Sequence, residues 1–455
     1  MQANKLFKRT LLGASCAVAL AGTALPAQAA NWLMLQGTEP EGASARANVW
    51  GFLQMNYSKD FSDANPSGQY VPPKLLGPDL DSQSGFNINR ARLGVRGTGF
   101  PIDSRINYFL MAEFGNSCIT HCAGDNTIAK MIDASITLNY LPGARVRAGL
   151  FKTPGAEEGL QAIHVFDYIN FTEVANGLLL ERFPNAKYTA NLPAQTEEQL
   201  QGGGSLNGFT TPVGGFRDVG VQVFDAFDVG KDWEVAYAAM VGNGNGIEFK
   251  NSDGEYDKYL YLSAEKKYGG KGPKAEGLKF FGWGQWGSRQ LDNTNDSVDN
   301  LKKYDRNRAG LGMKYMNKPF RFTAEYITAD GMIFEGPDKP SFYFANAANS
   351  TGANNGADAK GNGWYVEGGW YIPNSKWELD LRYDTATFNE ARNDEHQFDK
   401  WTFGVQYHFN PMTRVTVNYE MRDFKCTANT AQCTNANVNL NGVGDKIGVQ
   451  LTAIF

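Results

Sequence analysis

Apolar and polar residues alternate one by one along most of this chain. In the last ten residues Ile447, Val449, Leu451, Ala453 and Phe455 share one face, and Gly448, Gln450 and Thr452 share the other. Period two with one apolar face marks a strand with one dry side. At 132–140, Ile132, Ala134, Ile136, Leu138 and Tyr140 oppose Asp133, Ser135, Thr137 and Asn139. At 377–386, Leu379, Leu381 and Tyr383 oppose Asp380, Arg382 and Asp384. The pattern predicts about sixteen strands, from 49–57 to 445–455. Most reach the ~9–11 residues that a tilted strand needs to cross a bilayer. Connections after even strands are short, as in Leu141-Pro142-Gly143-Ala144 and Asn374-Ser375-Lys376, whereas those after odd strands are long. Short turns on one rim, long loops on the other and an even strand number predict an all-β, transmembrane antiparallel barrel. Closure gives every backbone donor in lipid a partner.

The one long apolar run, Leu11 to Leu25, follows Lys5, Lys8 and Arg9 and precedes Ala27-Gln28-Ala29. Residues 1–29 therefore read as a secretory signal peptide, which leaves 30–455 as the barrel. Removing those three cations takes the net charge from −5 to −8, which argues against nucleic acid as a partner. In an oxidising compartment Cys118 with Cys122, and Cys426 with Cys433, are expected to close small disulfide loops, both on the long-loop side. Cys118, His121 and Cys122 lack a nearby fourth ligand, so no metal is expected. The chain's ending on Phe455 resembles the C-terminal strand of bacterial outer-membrane barrels, where a terminal Phe serves the assembly machinery.

Sixteen strands leave an aqueous lumen. Alternation places Arg90, Arg92, Arg96, Arg105, Arg145, Arg147, Arg308, Arg321, Arg382 and Arg414 on its wall. Either these cations set a field that selects ions, or they pair with wall carboxylates and keep the wall stiff. The third long loop, about 153–216, is expected to fold inward, because a connection that long is usually functional. It is acidic, with Glu157, Glu158, Asp167, Glu173 and Glu181 as the expected constriction, facing the arginines of the second and fifth strands.

Phe86-Asn87-Ile88-Asn89-Arg90-Ala91-Arg92-Leu93-Gly94-Val95-Arg96-Gly97 resembles the second-strand motif of the phosphate-selective porin O/P family. Gly149-Leu150-Phe151-Lys152-Thr153-Pro154, Arg217-Asp218-Val219-Gly220-Val221-Gln222 and Trp377-Glu378-Leu379-Asp380-Leu381-Arg382-Tyr383-Asp384 resemble three further segments of it. The resemblance implies a homotrimer of sixteen-stranded barrels in outer-membrane lipid. The expectation is a passive porin for small hydrophilic solutes or inorganic ions, with an anion or phosphate preference open. A structural or adhesive barrel, or a sheath for a partner protein, is the other reading. Neither a Gly-x-Ser-x-Gly turn nor metal-type histidine spacing is present, so neither an enzyme nor a cofactor is expected.

Overall fold

The computed structural model describes residues 31–39, 47–63, 84–99, 102–117, 119–120, 127–180, 214–247, 249, 251, 254–270, 272–292, 301–333, 358–391 and 395–455. The signal peptide expected at 1–29, Cys118, Cys122 and Glu181 as well as the middle of the third loop lie outside them.

The strands are β1 (Asn48–Asp60), β2 (Ser84–Gly99), β3 (Asp103–Glu113), β4 (Lys130–Leu138), β5 (Arg145–Lys152), β6 (Arg217–Val229), β7 (Trp233–Gly242) and β8 (Asp257–Gly269). They continue as β9 (Glu276–Asp292), β10 (Leu301–Asn317), β11 (Phe320–Asp330), β12 (Lys360–Tyr371), β13 (Trp377–Phe388), β14 (His396–Asn410), β15 (Thr413–Cys426) and β16 (Lys446–Ile454). Each pairs antiparallel with its sequence neighbours, and β1 pairs with β16 to close the barrel. The seam runs from Phe52↔Ile454 to Asp60↔Lys446. Beyond it, Phe455 N–H donates to Gly51 O and Gly51 N–H to Phe455 O, so the last residue joins the ladder.

The barrel is built inside out relative to a soluble sandwich. On β13 and β14, Leu379, Leu381, Trp401, Phe403 and Val405 face outward, while Glu378, Asp380, Arg382, Asp384, Thr402 and Gln406 are buried inside. An exposed apolar belt of this extent suits only lipid. Aromatic residues crowd the short-turn rim, where Trp233, Phe320, Trp370, Trp377 and Phe409 stand exposed, as expected at a membrane interface.

The apolar cores lie within the lumen, where non-strand segments pack against inward-facing strand residues. A one-turn helix α1 (Trp32–Leu35) sits there, as do α2 (Glu157–Leu160) and α3 (Glu173–Leu178) of the third loop. Thr172 caps α3, its hydroxyl accepting from Ala175 N–H. Phe52 of β1 clusters with Ile163, Phe166, Tyr168, Phe171 and Ala175, and Trp32, Leu33 and Met34 cluster with Phe224 and Ala238. A further helix, α4 (Ala431–Leu440), follows β15. It carries Cys433, which is bonded to Cys426 at a Cα–Cα distance of 5.1 Å.

Candidate pore and its constriction

The third loop leaves β5 through a neck in which Thr153 N–H donates to Phe216 O at 2.9 Å. Phe216 has φ 61°, a left-handed conformation that turns the returning chain into β6. Lys152 follows the loop inward and donates to Leu160 O and Gln161 O at 3.3 and 2.6 Å.

Two adjacent glutamates open the constriction in opposite electrostatic states. Glu157 accepts from Lys279 Nζ of β9 at 2.5 Å, Lys314 Nζ of β10 at 2.9 Å and Trp32 Nε1 at 3.1 Å. Burial alone would raise its pKa, but Lys279 and Lys314 outweigh burial and hold it at about 2. Glu158 accepts from the hydroxyl and N–H of Thr172, with Arg382 farther off at 3.5 Å. Its burial dominates, aided by nearby Glu367 and Asp384, and lifts it to about 8 despite Arg382. Glu157 is thus an ionic tie and Glu158 a neutral hydrogen-bonding group at pH 7. Asp167 is held below the usual range by Arg321 and Lys274 in spite of its burial. Glu173 N–H donates to Asp384 Oδ2 at 2.8 Å, and its carboxylate lies 3.9 Å from Lys400.

Those partners correct the expected arrangement. Among the described residues, the loop carboxylates face cations of β9, β10, β11, β13 and β14 and of the turn before β9, not the arginines of β2 and β5. The loop's path decides this: it crosses the lumen before α2 and α3 pack on the far wall, where Ile169 N–H reaches Asn418 and Asn170 reaches Glu420.

The arginines divide by role. Arg308, Arg382 and Arg414 hold the loop's backbone, donating to Leu178 O, Asn170 O and both His164 O and Phe166 O. Arg382 also lies over the Tyr168 ring, 4.2 Å from its centroid. Arg321 joins Asp167 to Glu378 and Asp380. Arg90 donates to Gln54 at 3.0 Å, and Arg92 pairs with Glu113 at 2.6 Å. Arg96, Arg145 and Arg147 contact the N-terminal segment 31–39, which no strand pattern announced. Arg105 departs from the expected set: it lies at the short-turn rim, 59% exposed, paired with Asp103 and stacked on Tyr140. The alternation was right there, but the barrel wall ends before Arg105 can turn inward.

Residues absent from the expected site include Lys152, Lys279, Lys400, Tyr168 and Arg217, the last paired at 2.8 Å with Asp133, which alternation places on the polar face. Lys279 was recoverable, since Leu278 and Phe280 flank it in strand alternation. His164, half-buried against the Trp50 and Phe52 rings, is driven by burial to about 3 and stays neutral. Beside the loop, a cavity of about 50 Å³ is lined by Thr153, Arg217, Tyr259, Trp283, Gln285 and Arg306 among others.

The phosphate-selective porin O and P family matches residues 234–444. No curated protein matches the chain. Among solved structures, OmpT of Vibrio cholerae with loop L8 deleted is 12% identical, covers 90% of this chain and 100% of its own, and has a TM-score of 0.49. The outer membrane channel DcaP of Acinetobacter baumannii is 12% identical, with 92% and 99% covered and a TM-score of 0.49. Salmonella typhi OmpF in complex with daunomycin is 11% identical, with 92% and 100% covered and a TM-score of 0.46. The chain is a porin-type outer-membrane barrel that resembles the phosphate-selective porin O and P family across residues 234–444.

Proposed function

We propose that the chain is a passive channel for small hydrophilic solutes and inorganic ions, with a preference for anions. The observation that carries this is the closed barrel with an apolar outside, a polar inside and the third loop folded across the lumen. Only small species fit beside such a loop, and they move down their own gradient. The anion preference rests on the wall from β2 to β6, where Arg90, Arg92, Arg96, Arg145, Arg147, Lys152 and Arg217 outnumber the inward carboxylates Glu113, Asp133, Asp218 and Asp225. The excess positive charge lies on rigid strands, whereas the loop carboxylates are held by cations of the opposite wall. In the same reading, cleavage after Ala29 releases the chain 30–455, the barrel-assembly machinery inserts it into outer-membrane lipid, long loops outward, and three copies associate.

Single-channel recording of the purified protein in planar bilayers tests this. Stepwise conductance is expected, with a reversal potential in a salt gradient on the anion side. Replacing Arg90 and Arg92 together by Ala should move that potential toward cations. A shift toward anions would defeat the preference. Failure to conduct at all would favour a structural or adhesive barrel, or a sheath around a partner protein. Crosslinking in mild detergent that finds only monomer would overturn the trimer.

A further inference from the structure

The N-terminal segment 31–39 lies inside the lumen at the short-turn rim, beside β2, β3, β5 and β7. Barrel closure does not use it, because β1 already pairs with both β2 and β16. Its sequence is unlike a strand: Trp32-Leu33-Met34-Leu35 are four apolar residues in a row, wound into the single turn α1. Trp32, Leu33 and Met34 are 3–4% exposed, packed in the apolar cluster that includes Phe224 and Ala238 of the wall.

What holds the segment is a set of side chains that would otherwise face the lumen. Arg147 donates to Leu33 O at 3.2 Å and to Gln36 O. Arg96 donates to Leu35 O at 3.2 Å and to Thr38 O, and pairs with Glu39 at 2.5 Å. Arg145 approaches Met34 Sδ at 3.7 Å. On β7, Glu234 accepts from Asn31 Nδ2 at 2.9 Å. The same segment grips the constriction loop: Trp32 Nε1 donates to Glu157, and Gln36 Nε2 donates to Leu160 O at 2.5 Å. Side-chain donors gathered on main-chain carbonyls hold a peptide without making it part of the sheet.

We propose that residues 31–39 are a displaceable plug, seated by Arg96, Arg145 and Arg147 and latched to the third loop through Glu157. Seated, the plug narrows the short-turn mouth, hides Arg147, which is 1% exposed, and covers part of Arg96 and of Arg145, which Asp225 of β6 also pairs. Displaced, it widens the mouth, uncovers those cations and removes one of the three donors on Glu157. Barrels of this kind are known to be closed by segments folded into their interior. Leader cleavage after Ala29 would leave a single residue ahead of Asn31, so the plug is the start of the processed chain. This inference rests on the channel reading above.

The test replaces residues 31–39 of the full chain by a Gly/Ser linker of the same length, which keeps the leader and the tether to β1. Heat-modifiable migration confirms that the barrel has formed. A rise of roughly twofold or more in single-channel conductance is expected, with a reversal potential moved further toward anions as Arg147 and the covered parts of Arg96 and Arg145 meet water. A paired variant, Trp32→Ala with Leu33→Ala, preserves the backbone that the arginines hold and is expected to move both readings in the same direction by less. Met34→Cys should react slowly with a charged thiol reagent in the native channel and fast once denatured. A conducting wild type whose folded linker variant matches it in conductance and selectivity overturns the plug alone. Silence of both proteins overturns the channel reading, and the plug with it.

Discussion

Replacing Glu157 by Gln removes one buried charge and keeps the shape. The carboxylate sits between two ammonium groups at 2.5 and 2.9 Å and is 2% exposed. Its pKa of about 2, against an ordinary 4.5, is what remains after burial opposes the two lysines: a net preference for the charged form of roughly 3 kcal/mol at about 1.4 kcal/mol per tenfold change. Breaking a buried ion pair on one side costs a similar ~3–5 kcal/mol, because the partner charge stays buried. The loop's seat on β9 and β10 should therefore weaken by about two orders of magnitude in its docking equilibrium. Hydrogen exchange reads this directly at the amides of Leu160 and Gln161, which donate to Ala156 O and Glu157 O. They should exchange roughly a hundredfold faster in the variant, while amides of β9 and β10 keep their protection. The pH dependence follows from the sign of the shift. The pKa is depressed on seating, so the tie is complete above about 4.5 and is lost as pH falls toward about 2. E157Q should lack that acid loosening. Loop exchange within about threefold of wild type, with the acid response intact, would refute the reasoning.

Glu158 should act in the opposite sense: its pKa is raised on seating to about 8, so the loop is favoured while the group keeps its proton. It loosens as pH rises from about 4.5 through about 8. Open-channel noise should grow over that range in wild type and stay flat in E158Q; identical profiles would sink the assignment. Cys433→Ser opens a loop of sequence separation 7 and should cost α4 on the order of 2–3 kcal/mol, seen as faster proteolysis there with unchanged barrel melting. Deleting Phe455 removes both of its ladder bonds to Gly51 and should lower the yield of heat-modifiable barrel. Gly51→Val should do the same, since an added Cβ would meet Arg92 O at 2.6 Å and the Phe455 ring at 2.7 Å; normal yields of both would count against a role in closure.

The barrel was legible residue by residue because a strand's two faces meet two different solvents. Leu379 and Leu381 against Asp380 and Arg382 carry that contrast whatever lies elsewhere in the chain, and repetition of such segments with alternating loop lengths determines a closed sheet. The inward direction of most of the wall arginines follows from the same parity, and Arg105 fails only because its strand end lies at the rim. The partners of those arginines were not legible. Glu158 lies 224 residues from Arg382 and Lys279 lies 122 from Glu157, and no local period links them. Inside a polar lumen nearly any carboxylate can satisfy nearly any cation. The choice falls to depth along the strands and to the path of the third loop, which only the assembled barrel defines. Trp32 to Leu35 carried a signal, an apolar run beyond the expected cleavage site, without an alternating partner to say where it belonged. The closed wall supplied the place, by enclosing a space whose arginines had carbonyl oxygens left to find.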